Sequence, residues 1–217
     1  MEETNNIPIN KENKSIKWVL FIIIFLVVLL VIFIGVVYFK GIGKGYFIYE
    51  GLGGKYRIDI VKFGNMTDYY IHITANDKFY TYPFRVSPKD LENTYLEPDV
   101  KDFIINKKGV YITHDENVIN FSKMWIGEIE YVRILGTRQD LGGLYNLGVS
   151  AGYTIPIGEY PVIHCSNVTS EIGVIYYKLG ENAKVYSDDG CVIIEGKTNE
   201  DFLYASEKFG YHLLEVF

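Results

Sequence analysis

Residues 18–39 read WVLFIIIFLVVLLVIFIGVVYF, 22 positions without a charge. As a helix rising about 1.5 Å per residue, the run is about 33 Å long, enough to cross a hydrocarbon core of about 30 Å. In lipid, only a helix keeps every backbone hydrogen bond of one segment inside that segment. A core helix of a globular protein keeps a polar stripe, and this run has none. A secretory signal has an apolar stretch of about 7–15 residues and a small-residue cleavage site. This stretch is longer, and the exit sequence GVVYFK (35–40) offers no such site. The run therefore divides the 217-residue chain into four parts. They are a head at 1–17, expected to be disordered and cytoplasmic, a transmembrane helix at 18–39, a glycine-rich linker at 40–55 and a folded domain at 56–217.

Orientation rests on softer features. Lys11, Lys14 and Lys17 precede the run, and Lys40, Lys44, Lys55 and Arg57 follow it, so the positive-inside count is nearly tied. Both cysteines, and the glycosylation triplets at Asn65, Asn120 and Asn167, lie in the C-terminal domain. A further triplet, Asn13-Lys14-Ser15, falls on the opposite side. A short head before one anchor and a large domain after it commonly leaves the head inside. The expected localisation is the cell membrane, single-pass, with the N-terminus cytoplasmic, the domain extracytoplasmic and the lipid bilayer as partner of residues 18–39.

Four of the 21 Lys and Arg and three of the 27 Asp and Glu precede residue 41, so the rest carries 17 against 24, a net charge of −7. Such a body repels phosphate backbones, which argues against nucleic acid as a partner. The 19 Tyr and 13 Phe are spread over short strand-like runs such as KFYTY (78–82). Strand packing with exposed hydroxyls accounts for them, with a sugar-binding face as the alternative.

Alternation predicts strands at 56–63, 69–74 and 79–86. Ser87-Pro88-Lys89-Asp90 starts a short helix. A hairpin is expected from 102–106 and 110–113 around Lys107-Lys108-Gly109. A helix over 117–135 would bury Val118, Phe121, Trp125, Ile129 and Val132 and expose Lys123, Glu128, Glu130 and Arg133. A glycine-rich loop at 136–148 carries Arg138, Gln139 and Asp140. Strands at 173–179, 184–186 and 191–195 follow, with a tight turn at Ser187-Asp188-Asp189-Gly190. Thr198-Asn199-Glu200-Asp201 matches a capping box, and Phe202, Ala205, Phe209, Leu213 and Val216 mark the apolar side of the last helix. The fold class is α+β: one N-terminal transmembrane helix, then a mostly antiparallel sheet with two or three helices. Two β-hairpin–helix half-repeats, opening at Gly109 and Gly190, are one reading, and two unrelated amphipathic helices on one sheet are the other.

Chemical motifs are sparse. Gly196-Lys197-Thr198 has Cys191 where a phosphate-binding loop needs glycine. His114-Asp115-Glu116 is the tightest group of potential ligands, and helix capping explains it better than a metal ion. His72 is expected to face solvent, and His212 to lie at a boundary on the last helix. His164 beside Cys165 admits an activated thiol, against the simpler structural cysteine. Arg85 is a candidate ion-pair partner of Asp90, Glu92 or Asp99. In an oxidising compartment, Cys165 and Cys191 would form a bridge. In a reducing one they would be small buried hydrophobes. No metal and no cofactor is expected.

The run from Cys165-Ser-Asn-Val-Thr through GCVIIEGKTNEDFLYAS (190–206) to Leu213-Leu214 resembles small single-pass membrane proteins of uncharacterised archaeal families. In these, a C-x-N/D-A/V-T element precedes a C-I-x-V-x-G strand and a terminal helix. The resemblance implies no activity. It implies that the two cysteines belong together and that the domain is exported.

The expected function is a non-enzymatic interaction or structural domain of the cell envelope. It would meet a partner envelope protein through an edge strand or through the loop bearing Arg138, Gln139 and Asp140. The rivals are a membrane-anchored hydrolase, using acids such as Asp188, Asp189 and Glu195, and a small-ligand or sugar sensor.

Overall fold

The computed structural model describes residues 12–138, 140 and 142–217, with side chains described except at 12–16 and 36–44. Positions 1–11 of the expected head, and Gln139 of the expected docking loop, lie outside the described residues.

Helix α1 spans Glu12–Gly41, so it begins inside the stretch expected to be disordered. The side chains from Trp18 to Ile34 are at least 45 % exposed among the described residues. The length and composition of Lys17–Gly35 suffice to cross a membrane. The chain then passes directly into strand β1 (Ile42–Gly51), where a flexible linker at 40–55 was expected. Tyr46, Phe47, Ile48 and Tyr49 are strong strand formers, and the ladder they begin extends back through the glycines to Ile42.

Strands β1, β2 (Gly54–Phe63), β3 (Met66–Ala75) and β4 (Lys78–Phe84) form an antiparallel meander, sheet A, in that order. Asn76 and Asp77 both take positive φ at the β3–β4 turn, as a tight two-residue hairpin requires. The pleat turns Ile58, Ile71, Tyr82 and Phe84 into the core.

The rest of the chain builds sheet B. In sequence it has β5 (Tyr95–Leu96), β6 (Gly109–His114), β7 (Gly148–Tyr153), β8 (Ile172–Leu179), β9 (Lys184–Asp188) and β10 (Cys191–Gly196). In space the order is β5-β9-β10-β8-β6-β7. Only β9 and β10 run antiparallel, and the other neighbours are parallel. The class is α+β, with one antiparallel and one mixed sheet. The hairpin expected at 102–113 is absent, because Asp102–Ile105 forms a short helix, α2. Strand β6 is buried nearly throughout, as a parallel strand covered on both faces must be. The two segments that one reading took as half-repeats therefore share only a strand followed by a helix.

Those helices are α3 (Ser122–Leu135) and α4 (Asn199–Leu213). They pack tightly on each other, because Gly127 leaves no side chain between them. A Cβ there would lie 2.5 Å from the Cβ of Ser206. This seam rolls α3 away from the face its periodicity suggests. Met124, Tyr131, Ile134 and Leu135 are buried, whereas Ile129 is 57 % exposed and Glu130 is buried. Gly127→Val is expected to cost about 1–3 kcal/mol through overpacking, read as a lower melting temperature of the full chain. An unchanged melting temperature would mean that the two helices do not touch at this point.

Helix α4 opens on the expected capping box of Thr198 and Asp201. It is buried along almost its whole length and ties the sheets together. The side chain of Glu207 accepts the backbone N–H groups of Arg85 (2.7 Å) and Val86 (2.6 Å), just beyond β4. The Tyr211 hydroxyl donates to the Val86 carbonyl (3.1 Å), and its ring stacks on Phe84. The Lys208 ammonium donates to the Leu91 carbonyl (3.0 Å) and lies over the Phe217 ring. On the far face of sheet B, residues 154–171 cover Val174 and Ile193, and a disulfide joins Cys165 to Cys191.

Candidate docking groove

Strand β4 is the outermost strand of sheet A, and β7 is the outermost strand of sheet B. Among the described residues β4 has no further strand partner, and β7 has only the single bridge from Tyr153 to Val162. Pro83 in β4 has no N–H to give a ladder, which suits an edge position. Both strands contribute to one groove of about 1030 Å³. It is lined by Phe79 and Thr81 of β4, by Ile129 and Val132 of α3, and by Leu147 with Val149 at β7. Phe79 is 70 % exposed. Large apolar side chains gathered this way in the open mark an interaction site more often than single exposed ones do.

The loop after α3 forms the rim. It is pinned from below: the Tyr82 hydroxyl donates to the Gly142 carbonyl (2.6 Å), and the Leu144 N–H to the Ile134 carbonyl (2.8 Å). Arg138 and Asp140 are both exposed and pair with each other at 2.8 Å. The hydrogen bond from Arg138 holds the Asp140 carboxyl below its ordinary range.

Glu128 lines the groove and reaches inward, its carboxylate 2.7 Å from Nε2 of His114. His114 ends β6 and is fully buried, in ring contact with Trp125, Tyr153 and Tyr177. The chain goes from β6 to β7 on one side and then to β8 on the other. That is the point where parallel sheets commonly open a crevice beyond their strand ends. Here aromatic rings fill it. Asp115 turns to the opposite face, where it accepts the N–H of Asn117 and the hydroxyl of Tyr176. The acid thus caps a turn rather than the helix start expected at 117, because α3 opens only at Ser122, with no side-chain cap. Among the described residues, no three His, Cys, Asp or Glu side chains are placed to share a metal ion.

The other sequence candidates are dispersed. Asp189 and Gly190 occupy the expected turn with positive φ, and Glu195 is engaged by Lys184 (3.0 Å) and Tyr186 (2.8 Å). His72 lies on the outer face of sheet A between Asp59 (3.2 Å) and Thr81 (2.9 Å). His164 is exposed, and Cys165 beside it is no free thiol. His212 is buried and bonds the Phe217 carbonyl. Arg85 pairs with Asp68 rather than with Asp90, Glu92 or Asp99. Asn65, Asn120 and Asn167 are all exposed, and the Asn167 side chain accepts the His164 N–H (2.8 Å).

Helical periodicity assigned Ile129 and Val132 to the core and so concealed the groove. Gly127, two positions earlier, was the signal that the buried face had moved. No protein-family model, curated protein or solved structure matches the chain.

Proposed function

We propose that this chain is a membrane-anchored, non-enzymatic docking protein of the cell envelope, which takes an extended segment of a partner protein into the groove between β4 and α3. The carrying observation is that β4 ends sheet A beside exposed Phe79 and Ile129. Peptides add to such edges through main-chain hydrogen bonds, while flanking pockets select alternate side chains. Helix α1 is the single-pass anchor. The domain stands outside, with the N-terminus in the cytoplasm; the disulfide supports this side, since such bonds persist in oxidising compartments.

The test is selection of a random peptide library on the full chain in nanodiscs. Enriched peptides should alternate apolar residues. They should bind Ile129→Asp and Phe79→Asp at least ten-fold more weakly, about 1.4 kcal/mol. N-methylation along one peptide edge should abolish binding. Peptides indifferent to both substitutions would refute the reading.

The His114–Glu128 pair beneath the groove favours a second reading, a hydrolase or small-ligand sensor. Turnover or ligand binding lost in Glu128→Gln, with peptide binding intact, would establish it.

A further inference from the structure

We infer that the tip of the β2–β3 hairpin rests in the membrane interface beside the exit of α1, so that sheet A stands on the bilayer by one end. This rests on the reading of α1 as a membrane span. The argument is one of connectivity. Helix α1 ends at Gly41, and the next residue, Ile42, pairs with Phe63. Phe63 in turn pairs with Met66 across the turn. Opposed residues in a ladder lie about 5 Å apart, and the apolar run ends three residues before Ile42. The hairpin tip is therefore within about 10 Å of the point where the chain leaves the hydrocarbon, whatever the tilt of the helix.

The tip has the composition such a place demands. Phe63 is 63 % exposed and Met66 61 % exposed. Lys62 beside them is exposed, and a lysine stem can lie along apolar surface while its ammonium reaches headgroup phosphates. Gly64 takes positive φ and Asn65 completes the turn, so the two apolar side chains flank a narrow end. The interfacial layer on each side of a bilayer is about 5–8 Å deep, which suits one such tip. The β3–β4 turn lies at the other end of the sheet, about 30 Å away along β3. Phe79 and the groove sit near that far end, clear of the headgroups. Asn65, held between Phe63 and Met66 at the lipid surface, is then closed to glycosylation, although its triplet is intact.

The test places an environment-sensitive fluorophore on single engineered cysteines of the full chain in phospholipid vesicles, with the native disulfide closed. Asn65→Cys keeps Phe63 and Met66, Asp77→Cys marks the far turn, and Val27→Cys marks the middle of α1. Spin-labelled lipids should quench the label at 65 at least two-fold more than that at 77. Adding Phe63→Asp and Met66→Asp should abolish the difference. Quenching at 27, with 65 no more quenched than 77, would overturn the hairpin contact and leave the span standing. No quenching at 27 would overturn the span, and the hairpin contact with it. A glycan on Asn65 of the native protein would also overturn the contact.

Discussion

Glu207→Ala is expected to cost about 3–5 kcal/mol of unfolding free energy, enough to leave the domain marginal. The change orphans the buried N–H of Val86, at about 1–3 kcal/mol, and the half-buried N–H of Arg85, at less, and opens a cavity as well. Those N–H groups belong to the segment that leads from sheet A into sheet B. Without Glu207, α4 still holds this segment through the Tyr211 hydroxyl, the ring stack on Phe84 and the Lys208 ammonium. Denaturant unfolding of the full chain in detergent measures the loss. A change below about 1 kcal/mol would mean that the carboxyl does not clamp the crossover.

The same group sets a pH dependence whose sign is opposite to that of a salt-bridged carboxylate. Burial pushes Glu207 up to about 8. Between the ordinary carboxyl value of about 4.3 and that point, the folded protein holds a proton that the unfolded chain releases. Stability therefore falls as pH rises through this window. Burial lowers His212, which acts in the opposite sense below its ordinary value of about 6.5. Lys208, lowered to about 8 by burial, acts only above that pH. Wild type minus Glu207→Gln isolates the carboxyl, and the difference should shrink as pH is raised from 6.5 to 8.

What the sequence disclosed, and what it withheld, follows the range of the interactions. The capping box at Thr198 and the turn at Asp189 and Gly190 are local, and both stand where their residues place them. The apolar run before residue 40 is legible because lipid imposes one rule on every position of a span. Parallel pairing is not local: β6 finds β8 across some 60 residues, and Asp102–Ile105 reads equally well as strand or helix. Nor does a periodic count show what Gly127 does. It marks Phe202, Ala205, Phe209 and Leu213 on α4 and passes over Glu207, Lys208 and Tyr211, which are buried because a second sheet lies on that side. The groove between β4 and α3 was hidden for the same reason. Its residues Ile129 and Val132 are apolar by sequence, and only the meeting of α3 with α4 shows that this face is left uncovered.

Opening the Cys165–Cys191 bond is expected to cost about 3–4 kcal/mol, the chain-entropy value for a sequence separation of 26. For a domain of this size that is a fall of about 10 °C in melting temperature. The bond joins the turn Cys165–Asn167 to the first residue of β10, a central strand of sheet B, and so fixes the covering segment 154–171 to the sheet it protects. Val174, Ile193 and Ile163 form a cluster there that is small beside the main core, so the bond adds to a modest apolar contact. Cys165→Ser paired with Cys191→Ala should reproduce the effect of reductant, and reductant should then do nothing further. Alkylation before and after reduction, on protein taken directly from membranes, gives the second measure. Two thiols reactive only after reduction would accord with a domain outside the cytosol. Two thiols free from the start would remove both the stabilisation and the strongest support for that orientation.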